Sequence, residues 1–435
     1  MTGKLKPYPQ YKDSDVEWLG EVPEEWRVIK IGNLFLSIGS GTTPISTSKE
    51  YYEGGLIPWV NTGDLNDGYL EGSKRHITEK ALEDFSTLKV YPKGSIIIAM
   101  YGATIGKLTI TTSSATTNQA CCVLEPAITI DSKYIFYCLL ASRNYIIDLA
   151  YGAGQPNISQ ETIRSLKLPV PITKEQTTIA NYLDQQTVKI NQLIENYQKL
   201  IALSKEKRTA LITHCVTKGL DPTIKMKDSG VEWLGEVPEH WIVDRVKSHF
   251  KIEKRISGSL DYDVLSITQK GIVVKDIDSG EGQLSMDYSK YQLIFKGEFG
   301  MNHMDLLTGY IDISKYNGVV SPDYRVFSIK NQIFNTNFYL YVFQTCYINK
   351  IFYKYGQGSS QLGRWRLPSE EFYGLRIPTP FLDEQMKISN YLDQQTAKID
   401  QTIEKAERAI ELLKEKRTAL ITAVVTGKVD VRECV

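Results

Sequence analysis

The chain has 435 residues, 42% of them apolar and 23% charged. It has no apolar run long enough to cross a bilayer and no apolar leader region behind Met1. This composition excludes a membrane-embedded protein and predicts a soluble, cytoplasmic one with two or three domains. Lys plus Arg and Asp plus Glu balance at 51 each, so any hold on nucleic acid must come from local basic faces rather than bulk charge.

In chain order, the first recognisable element is an anchor, Lys12-Asp-Ser-Asp-Val-Glu-Trp18-Leu-Gly20-Glu-Val-Pro23-Glu-Glu-Trp26. It returns almost unchanged as Lys227 to Trp241, an offset of 215 (227 less 12). A first body follows, with strands predicted at Gly94–Met100, Lys107–Thr112 and Ala120–Leu124 and a short helix at Lys133–Ala141. The prolines of Pro169-Val-Pro171 end the body. A long helix is then predicted over 174–217, with Thr173 as its N-cap, Gln176 three residues on, and Gly219 at its C-terminus. Its apolar stripe steps by seven through Leu183, Ile190, Tyr197 and Leu211, with Ser204 as the polar exception, and Leu193 and Leu200 are offset by three.

After the second anchor, the second body is predicted to contain strands at Asp263–Ile267, Gly271–Lys275 and Tyr324–Ile329, and a helix at Asn337–Thr345. Pro378-Thr-Pro380 closes it. A second long helix is predicted over 383–425, with Asp383 at its start and Gly427 past its end. Asn181-Tyr-Leu-Asp-Gln-Gln-Thr187 and Lys205–Thr213 of the first helix return as Asn390–Thr396 and Lys414–Thr422 in the second, an offset of 209 (390 less 181). The stripe here runs Leu392, Ile399, Ala406, Leu413 and Leu420, with Thr402 and Ala409 offset. Seven-residue stripes of this length predict two supercoiled helices of roughly 60 Å each.

The anchors and helices are thus duplicated, while the bodies, roughly 30–165 and 245–375, show little mutual resemblance. The predicted architecture is α+β. Two mixed α/β bodies are joined by two long antiparallel coiled-coil helices, pseudo-two-fold and near-circular, with the chain ends brought together. The parts are 1–173, 174–217, 218–382, and 383–435 with its tail.

Catalytic motifs are missing. Gly102-Ala-Thr-Ile-Gly106-Lys107-Leu108 has three residues between its glycines, where a phosphate loop has four, and Leu where a hydroxyl should bind Mg²⁺, so it reads as a strand–turn–strand. Pro322-Asp323-Tyr-Arg325 lacks the Asp/Glu-x-Lys that would complete a nuclease set, and no Asn/Asp-Pro-Pro-aromatic methylation motif occurs. The histidines (76, 214, 240, 249, 303) lack metal-ligand spacing, and the cysteines (121, 122, 138, 215, 346, 434) read as reduced thiols.

The two Val-Glu-Trp-Leu-Gly-Glu-Val-Pro anchors, Ile38-Gly-Ser-Gly-Thr-Thr-Pro44, Ile57-Pro-Trp-Val-Asn-Thr-Gly-Asp64, Thr117-Asn-Gln-Ala120 and the Pro-x-Pro-x-x-x-Glu-Gln exits at 169–176 and 378–385 together resemble the specificity subunit of type I restriction–modification systems. That resemblance covers essentially the whole chain. It implies two target-recognition domains, each reading half of a split asymmetric sequence in double-stranded DNA, and helices whose length sets the gap. It also implies assembly with two modification (methyltransferase) subunits and, through them, restriction subunits. The chain itself would be non-catalytic and hold no cofactor; S-adenosylmethionine, ATP and Mg²⁺ would belong to the partners. Lys254-Arg-Ile-Ser-Gly-Ser departs from the Gly-Thr-Thr-Pro pattern at the start of the second body.

DNA reading needs loop-borne side chains that reach phosphates or base edges. In the first body the candidates are Ser40, Thr42, Thr43, Lys74, Arg75, Thr104, Lys107, Asn118, Gln119, Gln155 and Asn157. In the second they are Gln269, Lys270, His303 and Arg325, with the strongest patch at Gln357, Ser359, Gln361, Arg364 and Arg366. Trp18, Trp26, Trp233 and Trp241 sit at repeated frame positions and read as packing anchors.

Overall fold

The computed structural model describes residues 6–151, 156–277, 285, 287–331, 334–358 and 365–434. The chain forms two compact units, Met1–Tyr197 with Arg408–Val435, and Gln198–Glu407.

In the first unit, Phe35–Gly39 (β1), Ile96–Ala99 (β2), Leu108–Thr111 (β3) and Cys121–Pro126 (β4) form one sheet in the order β1-β4-β2-β3, and Gly68–Leu70 adds a fifth, parallel strand beside β3. The pairs β1·β4, β4·β2 and β2·β3 are antiparallel. Side chains alternate across a sheet. Ile96, Ile98, Cys122 and Leu124 therefore join the core beneath the helix Ser132–Ala141 (α1), while Ile97, Ala99, Cys121 and Val123 join a second core on the other face. Burial on both faces explains why β2 reads as an unbroken apolar run.

The second unit repeats this plan. Phe250–Glu253 (β5), Phe299–Met301 (β6), Ile311–Ile313 (β7) and Arg325–Ile329 (β8) form a sheet in the order β5-β8-β6-β7, all antiparallel. Phe299, Met301 and Phe327 pack under the helix Thr336–Ile348 (α3), and Val326 joins the core on the opposite face. The bodies that look unrelated in sequence thus share a four-strand core. They differ in the segment between the first and second core strands, 40–95 in one and 254–298 in the other. The first insert carries Ile57–Val60, Gly68–Leu70, His76–Ile77 and the helix Glu79–Asp84. The second carries the hairpin Leu265–Thr268 with Gly271–Val274, and the strand Gln292–Ile294.

The frame is duplicated down to its register. Lys12 faces Val22 as Lys227 faces Val237, and Val28 faces Pro169 as Val243 faces Pro378. The long helices run Thr173–Lys218 (α2) and Leu382–Val425 (α4). Each body is fastened to its helix in the same way. Tyr137 Oη donates to Asp184 at 2.7 Å and lies 3.2 Å from Thr187 Oγ1; Tyr341 Oη donates to Asp393 at 2.7 Å and lies 3.4 Å from Thr396 Oγ1. The Gln176 side chain accepts from Asp131 N–H and donates to the Pro171 carbonyl; Gln385 does the same with Asn335 and Pro380. The helices start one residue earlier than expected. Thr173 is already helical and its hydroxyl donates to the Thr129 carbonyl, and Asp383 lies inside the first turn.

The heptad reading also needs one correction. Leu183, Ile190, Leu392 and Ala406 are buried, and Tyr197, Leu211, Ile399, Leu413 and Leu420 are half-buried. Leu193 and Leu200, however, are 47% and 41% exposed, and Thr402 is exposed. The second seam row is offset by four, not three. It runs Thr187, Ile194, Ile201, Arg208 and Cys215 on α2, and Thr396, Ile403, Ile410, Arg417 and Val424 on α4, all buried or half-buried. Residues at three and at four both neighbour a given position on a helix, and the leucines drew the reading one row aside. Ala409, half-buried, flanks the seam.

Each unit holds a polar contact in this seam. Arg417 Nη1 donates to Asn191 Oδ1 at 2.6 Å in the first, and Arg208 Nε donates to Asp400 Oδ1 at 3.1 Å in the second. These are equivalent positions of the repeat, so the helices run antiparallel in both units, but only one of these two contacts is an ion pair. Asn191→Asp should therefore stabilise the first unit by about 0.5 kcal/mol, the size of an exposed pair. Thermal unfolding at low salt should show the gain, and 1 M salt should erase it; a loss of stability at low salt would contradict the pairing.

The chain ends meet within the first unit. Asp430 N–H donates to the Lys6 carbonyl, Tyr11 Oη donates to the Gly427 carbonyl at 2.9 Å, and the Arg432 guanidinium lies 4.8 Å from the Tyr8 ring centroid. Trp26 and Trp241 are fully buried anchors, and Trp18 and Trp233 pack against the two cores. Among the described residues the six cysteines are unpaired, and no helix is long and apolar enough to cross a membrane.

Candidate nucleic-acid interface

The antiparallel registers determine which loops are neighbours. Gly39 faces Val123 and Ala99 faces Cys121. The chain leaving β1, the chain leaving β2 and the chain entering β4 therefore emerge at one end of the sheet. Ser40, Thr42, Thr43, Thr104, Lys107, Asn118 and Gln119 all belong to these segments, and Asn157 joins them through its bridge to Tyr101. Their hydrogen bonds hold the loops together. Gln160 Nε2 donates to Ser40 Oγ at 2.8 Å, Thr43 Oγ1 to Gln119 Oε1 at 2.7 Å, and Asn118 Nδ2 to Asn61 Oδ1 at 3.0 Å. The Thr42 carbonyl accepts from Trp59 Nε1, and Thr104 Oγ1 donates to the Tyr101 carbonyl. Asn118 also accepts from Ala120 N–H, so both ends of its amide are occupied within the protein. Gln119 and Lys107 are exposed. Gly102–Thr104 is a single 3-10 turn between β2 and β3, in line with the strand–turn–strand reading.

Lys74 and Arg75 come from the insert. The Arg75 carbonyl accepts from Trp59 N–H at 3.0 Å, which pins the backbone, while its side chain points outward. Arg75 shares a cleft with Thr43, Ser46, Thr47, Ser48, Lys49, Tyr52, Glu53 and His76. Among the described residues neither Lys74 nor Arg75 has a carboxylate partner. The sequence reading did not pick out Ser46–Lys49 or His76. A run of three hydroxyl residues followed by a lysine was the available signal, but only folding brings it opposite Arg75.

The same end of the second sheet gathers 254–258, 302–309 and 321–324, because Glu253 faces Val326 and Met301 faces Arg325. Gln269 and Lys270 form the exposed tip of the insert hairpin, and Gln269 Nε2 reaches the Thr308 carbonyl at 3.3 Å. Gln357 and Arg366, both exposed, exchange backbone hydrogen bonds of 2.8 and 3.0 Å, and the Tyr353 and Trp365 rings stack beside them. Gln155, Ser359, Gln361 and Arg364 lie outside the described residues.

Two candidates are corrected. Arg325 is 3% exposed and points from β8 into the core. Its Nη2 donates to the Leu367 carbonyl at 2.8 Å and to Ser369 Oγ at 3.3 Å, and its guanidinium lies 4.8 Å from the Phe372 ring centroid. It shares a face with Phe327, two residues on, so strand alternation turns it inward. Burial lowers its pKa to about 10. His303 is 8% exposed. Burial first, then the cations of Arg325 and Arg366, pull its pKa down to about 3, so the ring is neutral. Both residues shape the loops from beneath, where base edges cannot reach them. Among the described residues no cluster of His, Cys, Asp and Glu could hold a metal ion.

A sequence profile for the type I restriction modification DNA specificity domain matches residues 23–203 and 261–412. The chain is 32% identical over 201 residues to the type I restriction enzyme MjaIX specificity subunit of Methanocaldococcus jannaschii, an alignment spanning 45% of this chain and 44% of that protein. It is 24% identical over 429 residues to the MjaVIII specificity subunit of the same organism, spanning 94% of each. To the EcoR124I/EcoR124II specificity subunit of Escherichia coli it is 29% identical over 210 residues, 47% of this chain and 50% of that one. The fold is similar to a chain in a structure on complex assembly and conformational transition of the type I R-M system, at a TM-score of 0.69 and 12% identity, covering 93% of this chain and 98% of the other. It is also similar to the HsdS subunit from Thermoanaerobacter tengcongensis, at 0.51 and 13%, covering 94% and 98%. With two matched regions spanning most of its length, the chain belongs to the type I restriction–modification DNA specificity family, as a specificity subunit.

Proposed function

We propose that this chain is the DNA-reading component of a type I restriction–modification complex and does no chemistry alone. Each body reads one half of a split, asymmetric double-stranded target. The long helices set the gap between the halves. The duplicated frame docks two methyltransferase subunits and, through them, restriction subunits. S-adenosylmethionine belongs to the former, and ATP and Mg²⁺ likewise to partner subunits rather than to this chain. The observation that carries this reading is one frame, duplicated down to its hydrogen bonds, bearing two shared sheet cores with unlike inserts. Two equal docking faces suit two copies of one partner, and two unlike heads suit two unlike half-sites.

The test is co-expression with a methyltransferase subunit of the same system, followed by mapping of methylated adenines across the host genome. The expected result is one asymmetric motif of two specified halves around a fixed unspecified gap. A contiguous motif, or methylation by the chain without its partner, would overturn the proposal.

A further inference from the structure

The four-strand core, its covering helix and the frame recur in both bodies, so these parts are common to whatever the two bodies do. The core and its covering helix recur in backbone only, with unlike side chains. The inserts differ in backbone as well, in strand pairing and in length. The first insert is also built to hold side chains still. It has its own core of Tyr51, Trp59, Ile77, Ala81 and Leu88, separate from the cores on either face of the sheet. Two further bonds brace it, Trp59 Nε1 to the Thr42 carbonyl at 3.1 Å and Thr78 Oγ1 to the Glu50 carbonyl at 2.8 Å.

On this platform the exposed Arg75 and His76 stand in a cleft with Ser46, Thr47, Ser48, Lys49 and Glu53, the Lys49 ammonium lying 4.0 Å from the Glu53 carboxylate. Hydroxyls and a lysine are what phosphates take, and an arginine with a free planar fork is what a guanine edge takes. At the shared sheet end the chemistry is different. There Asn118 donates one N–H to Asn61 and accepts from Ala120 N–H, and the Gln119 carbonyl is engaged by Thr43.

We infer that the cleft-bearing part of the insert, 46–76, is the base-reading element of the first body, with Arg75 and His76 as specificity-determining residues, and that the sheet-end loops, 40–43, 101–107 and 118–119, position DNA without choosing its sequence. The inference rests on the split-target reading above and assigns the reading to particular side chains.

The experiment uses the full chain with its methyltransferase subunits and genome-wide methylation mapping of wild type, Arg75→Ala, His76→Ala and Gln119→Ala. Arg75→Ala or His76→Ala should relax base choice at one or two positions of one half-site by roughly 5- to 150-fold, the range of one lost bidentate contact, and leave the other half-site unchanged. Gln119→Ala should lower methylation at all sites with the motif unaltered. If the wild-type motif is split but Arg75→Ala and His76→Ala both keep it unchanged, or if both halves change together, the assignment to the insert is wrong and the split-target reading stands. If the wild type has no split motif, that underlying reading falls first. Both residues are exposed, so the variants should fold; equal thermal midpoints check this.

Discussion

Gly427→Ala is expected to destabilise the protein by about 2–5 kcal/mol, while the equivalent change in the other copy of the frame, Gly219→Ala, is expected to cost only about 1–2 kcal/mol. Both glycines end a long helix with positive φ, +72° and +77°. An alanine there meets the left-handed penalty of about 1–2 kcal/mol. The difference lies in the space around them. A Cβ on Gly427 would sit 2.2 and 2.4 Å from the Pro23 ring and 3.3 Å from Trp26. On Gly219 the nearest atoms, of Glu384 and Trp241, are 3.4 Å away, an ordinary contact. Overpacking a rigid proline adds about 1–3 kcal/mol at Gly427. The site also joins the chain ends, since the Gly427 carbonyl accepts from Tyr11, so the strain should loosen the N-terminal hairpin first. Chemical unfolding with amide exchange at 11–23 would measure both effects. Equal costs for the two variants would show that the close approach of Pro23 does not matter.

This corner illustrates what was legible in the sequence. The repeats located the frame, both long helices to within a residue or so, and the two glycines past their ends. They implied that the chain ends should meet, because the same anchor that follows the first helix must receive the second. Hydrophobic runs placed β2, β3, β4 and β8. The shared core of the bodies was not legible. Only strand order and register are common there, and many apolar sequences satisfy the same register. Phe327, between Ile252 and Phe299, and Leu124, between Ile38 and Ile96, fill equivalent positions with different volumes. The seam error has a related cause. Leucine at 193 and 200 is a stronger hydrophobic signal than the pairing of Ile194 with a polar Arg208 row, yet the buried row runs through an arginine.

The candidate site divides along the same line. Loop residues next to motif glycines and strand ends, such as Thr43 and Gln119, could be found from sequence and do come together. Residue type suggests Arg325, but type alone does not say which face of a strand a side chain occupies. Its inward orientation follows from pairing with Met301 and sharing a face with Phe327. The hydroxyl run at 46–48 became visible only once folding set it against Arg75.

The buried His303 of the second body predicts an acid-sensitive unit. His303 has a folded-state pKa of about 3, held down by burial and by Arg325 and Arg366, against about 6.5 when unfolded. Because the folded value is the lower one, the unfolded chain binds the proton first. Stability is intact above pH 6.5 and declines as pH falls from there toward 3. At pH 5 this one group should cost about 2 kcal/mol relative to pH 8. His303→Leu should remove that cost. The leucine fills a similar buried volume, and the backbone bonds at this position, from His303 N–H to Met301 and from Leu367 N–H to the His303 carbonyl, do not involve the ring. The imidazole Nδ1 has no partner to lose. The measurement is thermal or chemical unfolding of wild type and variant from pH 8 to pH 5. Their stability difference should move by about 2 kcal/mol in favour of the variant as pH drops, and a difference that does not change with pH would mean that His303 is protonated alike in both states and that its burial beside Arg325 and Arg366 does not hold it neutral.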